Sequence, residues 1–123
     1  MTSNADIVAC ARGWLGTRFH HQGRLKKTAT HKGGVDCLGL LVGVARELNL
    51  QLASGLPAAG LDRTDYTHYP DTAYLQEQLA EALYPIPVAG IQPGNILLPK
   101  LDNNPQHMAI VSGLAAGLRI IHS

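Results

Sequence analysis

Apolar positions recur at helical spacing through the first half of the chain and at shorter, strand-like spacing in the last third. Ile7, Cys10 or Ala11, and Trp14 mark a first helix over Ala5–Leu15, with Asn4 as its cap and Gly16 as its stop. Leu38, Leu41, Val42, Ala45 and Leu48 form a second stripe. Asp36 stands in front of it as an N-cap, and Arg46 lies where the helix dipole favours a cation. Gly39 and Gly43 sit four residues apart within that helix, a spacing that admits another backbone at close range. Leu75, Leu79 and Leu83 predict a third helix, capped by Asp71 and ended by Pro85 and Pro87.

The period then changes. Pro93-Gly94 is a turn signal before the short apolar run Ile96-Leu97-Leu98, and Asp102 to Pro105 is another turn. His107–Ser112 and Leu118–His122 read as two strands joined by a turn over Gly113–Gly117. Helices followed by a strand meander is the α+β pattern. The chain of 123 residues fits one domain spanning 1–123, and its length suffices for a core without disulfide or metal staples.

Composition narrows the function classes. A net charge of +1 supplies no field for drawing in nucleic acid or an anionic membrane. The sequence lacks an apolar run long enough to span a membrane and a basic N-terminal region leading into an apolar one. The protein is therefore expected without a membrane span or signal peptide. Two cysteines, Cys10 and Cys37, make no disulfide framework. No pair among His20, His21, His31 and His68 has the short spacing of a structural metal site, so neither metal nor cofactor is expected. The basic run Arg24–Lys32 reads as a solvated loop. Tyr66, Tyr69 and Pro70 either line a groove or pin the middle loop to the core.

Cys37 is the chief candidate for chemistry. It follows Gly33-Gly34-Val35-Asp36 and falls in the first turn of the second helix. Unpaired amides and the helix dipole there favour a thiolate, the nucleophilic form. Cys10, within an apolar stripe, reads as structural. A cysteine nucleophile needs a base, and the base needs a group to orient it. A hairpin turn centred between Leu114 and Ala115 sets His107 opposite His122 on one face, which suits the two roles.

Five segments carry a family resemblance. They are Leu15-Gly16-Thr17-Arg18-Phe19-His20-His21-Gln22-Gly23, Gly34-Val35-Asp36-Cys37-Leu38-Gly39-Leu40, Pro93-Gly94-Asn95-Ile96-Leu97, His107-Met108-Ala109-Ile110-Val111 and Ile120-Ile121-His122-Ser123. In this order they resemble the NlpC family of cell-wall cysteine peptidases, most of all the short variants encoded with phage tails and gene-transfer particles.

The resemblance implies a papain-like α+β fold, with the cysteine on a helix packed against an antiparallel sheet. It implies hydrolysis of peptide bonds in the peptidoglycan stem without a cofactor, with Cys37 as nucleophile, His107 as base and His122 as orienting residue. Phe19, His20, His21 and Asp36 fall on the substrate side. Phe19 stands where many members carry an oxyanion-assisting tyrosine, so that donor is either missing or replaced by His20 or His21. Leu38 stands where serine is frequent. The chain stops one residue after His122, so the domain is expected to lack a last strand. Partners implied are the stem peptide and the proteins of a tail-like particle. The corresponding location is the cytoplasm until release, or the particle itself. Two rivals accompany this reading. One is a Cys-His acyltransferase or amidase on a small or lipid amide, for which the middle loop Leu52–Pro70 has to form an apolar pocket. The other is a tail component without turnover.

Overall fold

The computed structural model describes residues 2–66, 76–77, 79–98, 100–101, 104–105 and 108–123. Helix α1 (Asn4–Arg12) begins one residue earlier than its apolar spacing suggests, because Ser3 and not Asn4 is the cap. The Ser3 hydroxyl accepts the Asp6 amide at 3.1 Å, and the Asp6 carboxylate accepts the Ser3 amide at 2.9 Å. This reciprocal pair satisfies two otherwise orphaned donors. The helix tightens after Arg12. Gly13, Trp14 and Leu15 donate to carbonyls only three residues back, and Gly16 at φ +88° turns the chain.

Strands β1 (Arg24–Leu25) and β2 (Gly34–Val35) form an antiparallel pair that feeds directly into helix α2 (Cys37–Glu47). The basic run is thus the arm of a hairpin, and only part of it is solvated. The Arg24 guanidinium is mostly covered, and Lys26 pairs with Glu47 at 3.1 Å. Downstream lie 3₁₀ turns over Ala58–Leu61 and Val88–Gly90. Of the third helix, Asp71 and Leu75 lie outside the described residues. Positions 76–77 and 79–80 are helical, and the Leu83 amide still bonds the Leu79 carbonyl at 2.8 Å.

The last third is a meander. Strands β3 (Ile96–Leu97), β6 (Ala109–Gly113) and β7 (Arg119–His122) make one antiparallel sheet in the order β3-β6-β7. Between β3 and β6, the short strands β4 (Lys100–Leu101) and β5 (Asn104–Pro105) pair with each other. The arrangement is a small mixed α+β fold, with antiparallel sheets among the described residues.

The β6–β7 register differs from the expected one. His122 pairs with Ala109, not with His107, and His107 itself lies outside the described residues. The cause is the turn. Pairing shifts between Val111 and Gly113, and the chain reverses around Ala115–Gly117 with Gly117 at φ +99°. A reversal built on Gly117 moves the centre toward the C-terminus and carries every pair with it.

Helix α2 is central. Leu40 and Val44 join Ala11, Trp14, Val35, Ile110 and Ile121 in one apolar cluster. Leu38 and Val42 join Tyr66 and Met108 in a second, on another side of the helix. Burying each such large side chain contributes roughly 1.5–3 kcal/mol. The two helical glycines play different parts. A Cβ on Gly39 would lie 2.2 Å from the Gly23 carbonyl oxygen, so there a backbone does approach. At Gly43 the neighbour is the Trp14 indole, whose Cζ2 would lie 2.2 Å from an added Cβ.

Gly43→Ala should therefore destabilise the protein by about 1–3 kcal/mol, since displacing the indole outweighs the roughly 1 kcal/mol gain in helix propensity. Gly60→Ala, where an added Cβ meets nothing within 4 Å, should leave the urea midpoint unchanged or slightly raised.

Candidate active site around Cys37

The start of α2 is organised by one carboxylate. Asp36 is 5% exposed and caps the helix, its Oδ1 accepting the Gly39 amide at 2.8 Å. Oδ1 also takes Nη1 of Arg24 at 3.0 Å. Oδ2 accepts the Gln22 amide at 2.8 Å and the Tyr66 hydroxyl. Four donors from three segments converge on two oxygens, which is how a buried carboxylate is satisfied away from water. Asp36 therefore acts as a structural anchor, with both oxygens taken up by donors from the protein itself.

Arg24 spreads the network. Its Nε meets both Asp62 oxygens at 3.0 and 3.1 Å, and Nη2 reaches the Tyr66 hydroxyl at 2.9 Å. Burial works against the guanidinium charge, but Tyr66, Asp36 and Asp62 outweigh it and hold its pKa above the ordinary value. Burial and the bond to Asp36 likewise hold the Tyr66 hydroxyl protonated, far above a free tyrosine. Tyr66 thus pins the middle loop to the core, which decides between its two sequence readings. Tyr69 and Pro70 lie outside the described residues. The sequence does not single out Gln22, Arg24 and Asp62 for this network, because the pairs lie 12 to 44 positions apart. The one available signal was that a buried capping aspartate requires a cation.

Around this anchor, Val35 gathers several of the expected site residues. Phe19 bridges Val35, and the Val35 carbonyl accepts the His20 amide at 3.1 Å and the Ser123 hydroxyl at 2.7 Å. Phe19 is 54% exposed. His20 is exposed, with Nδ1 3.0 Å from the His21 carbonyl oxygen. The His21 ring meets Tyr66 edge-on, centroids 5.5 Å apart. The bond from Ser123 ties the end of β7 to the residue two before Cys37, and exposed His122 is the neighbour of that tie. Residues Phe19–His21 and His122 thus flank the entry to α2. His107 and His68 lie outside the described residues.

The Cys37 side chain is half-buried against the second cluster, that of Leu38, Val42, Tyr66 and Met108. Burial pushes its pKa up and the Asp36 charge adds to this. The amides of Met108, Leu38 and Cys37 pull the other way without prevailing. The expected resting thiolate is thereby corrected. Desolvation exceeds what the helix start returns, so Cys37 rests as a neutral thiol. The Met108 amide at the sulfur also brings the leading end of β6 to the thiol. Cys10 is half-buried beside the first cluster, its Sγ 3.3 Å from Glu47 Oε2, and burial with that carboxylate lifts it from 9.0 to about 11.

Among the described residues, no three His, Cys, Asp or Glu side chains gather to hold an ion, and no helix is long and apolar enough to cross a membrane. Compared with family models, curated proteins and solved structures, the chain matches none.

Asp36→Ala should cost about 3–5 kcal/mol in urea unfolding, because it strips a covered guanidinium of one carboxylate. Tyr66→Phe should cost less, about 1–3 kcal/mol, the loss of one buried hydroxyl. Alkylation by iodoacetamide, followed by peptide mass mapping across pH, should give native midpoints above those of the denatured chain for both thiols. The Cys10 midpoint should stand near 11. The linkage sign follows. A native thiol with a raised pKa holds its proton longer than the unfolded one, so stability falls as pH rises from about 9 toward 11.

Proposed function

We propose that the chain is a cysteine peptidase that hydrolyses amide bonds of the peptidoglycan stem peptide, on a papain-like fold, and that it works within a phage-tail-like particle. The observation that carries this reading is the packing of Cys37 against the apolar cluster that contains Met108. It sets a thiol in the first turn of a helix against the start of the strand that follows His107. The pairing of Ala109 with His122 adds the second histidine's strand to the same end of the sheet.

In the proposed reaction, a neutral Cys37 gives up its proton to His107 as the sulfur attacks the scissile carbonyl. The Cys37 amide, at the unsatisfied start of α2, donates to the developing oxyanion. His107 then protonates the leaving amine, and water resolves the thioester. His122 holds the imidazole tautomer. A resting thiol makes the base indispensable at the moment of attack.

Purified protein should release new amino groups from isolated cell walls, and Cys37→Ala should not. His107→Ala should lower the rate by about 10²–10⁴-fold, the contribution of a general acid–base. His122→Gln should retain more, since an amide oxygen still accepts the imidazole hydrogen bond. Equal release by the wild-type and Cys37→Ala proteins, or none by either, would sink the peptidase and favour a structural tail component.

A further inference from the structure

The net charge of +1 averages over an uneven chain. Between Asp6 and Asp36 stand Arg12, Arg18, Arg24, Lys26, Lys27 and Lys32 with no acid among them, whereas the rest of the chain sets all nine acids against four cations. Salt screens charges over about 10 Å, so a near-neutral total does not cancel a basic face at contact range. Two of the six cations are answered internally. Arg24 meets Asp36 and Asp62 at 3.0 Å, and Lys26 meets Glu47 at 3.1 Å. Arg12, Arg18, Lys27 and Lys32 are exposed and enter no ion pair among the described residues.

The fold gathers these four on the β1–β2 hairpin and the turn packed against it. Arg12 lies in the last turn of α1, directly before that turn. The Lys27 amide donates to the Thr17 hydroxyl at 3.2 Å, and the Lys27 Nζ would lie 2.7 Å from a Cβ added to Gly16. Arg18 Nε donates to the Gly33 carbonyl at 2.8 Å, next in the chain to Lys32. The Val35 amide donates to the Arg18 carbonyl at 3.0 Å, two residues before Cys37. The basic surface therefore borders the entry to α2.

Exposed side chains on a hairpin and a turn form no cage for one small anion. They fit a partner whose charge repeats along its length and whose counterions are released on contact. Lys and Arg pair well with phosphate. Single-stranded nucleic acid is held in addition by stacking of its bases on a series of rings. This stretch offers Phe19 as its one exposed ring of Phe, Tyr or Trp, because Trp14 is buried. A phosphate polymer without bases fits better.

We propose that this surface binds an anionic phosphodiester polymer of the cell wall and holds the protein against it. The choice of a wall polymer rests on the peptidase reading, but binding requires no turnover at Cys37.

Isothermal titration of the full chain with poly(glycerol phosphate), over a series of sodium chloride concentrations, tests it. Wild-type and Cys37→Ala proteins should bind equally, and affinity should fall as salt rises. Arg12→Gln/Lys27→Gln/Lys32→Gln should bind about tenfold more weakly and depend less steeply on salt. Lys27→Gln/Lys32→Gln should show part of the same effect, and either variant suffices if it keeps the wild-type circular dichroism spectrum. Arg119→Gln, at the turn end of β7, should bind within about twofold of wild type. Absence of binding, affinity independent of salt, or folded variants that bind as well as wild type would overturn the surface. Tighter binding of oligothymidylate or polyglutamate of equal charge would overturn the phosphodiester wall polymer as its ligand. Binding without release of amino groups from cell walls removes the peptidase reading alone, and release without binding removes the surface alone.

Discussion

A carboxylate taken out of water must be met by donors, and the donors that meet Asp36 tie the start of α2 to the segment before it and to the middle loop. The helix's own Gly39 amide, the Gln22 amide, the Arg24 guanidinium and the Tyr66 hydroxyl converge there. The last three belong to segments with little regular structure of their own. β1 and β2 are two residues long, and the loop bearing Tyr66 has only a 3₁₀ turn. Such segments gain little from ladder hydrogen bonds, and a shared buried anion fixes their mutual positions.

That anchor has a chemical consequence one residue later. Asp36 adds its charge to the burial of Cys37, and the thiol stays protonated. The same carboxylate that orders the helix start thus opposes ionisation of the sulfur it positions. A thiol held this way is spared adventitious oxidation, since oxidation follows thiolate character.

Local patterns in the sequence were read more faithfully than long-range ones. The capping role of Asp36, the stripe along α2 and the position of the β6–β7 hairpin all follow from neighbours within a few residues. The Asp36–Arg24–Tyr66 network was invisible because charge and hydroxyl meet across loops whose path no periodicity encodes. Arg24 looked like one more member of a basic run. The hairpin register failed for a related reason. The turn was assigned to Leu114–Ala115 from symmetry, whereas the positive φ of Gly117 moved the reversal and with it the partner of His122. The start of α1 shifted for a smaller one, because the reciprocal Ser3–Asp6 bonds make Ser3 a better cap than Asn4.

The contact between Trp14 and Gly43 reaches beyond packing. Trp14 is the only tryptophan in the chain, and its indole lies on the middle of α2 within the first cluster, with the Lys26 ammonium 5.8 Å from its ring centre. The protein consequently carries a single indole fluorophore, at the seam between α1 and α2. Its emission reports the docking of α1 on α2, whereas the second cluster carries the ring of Tyr66 instead.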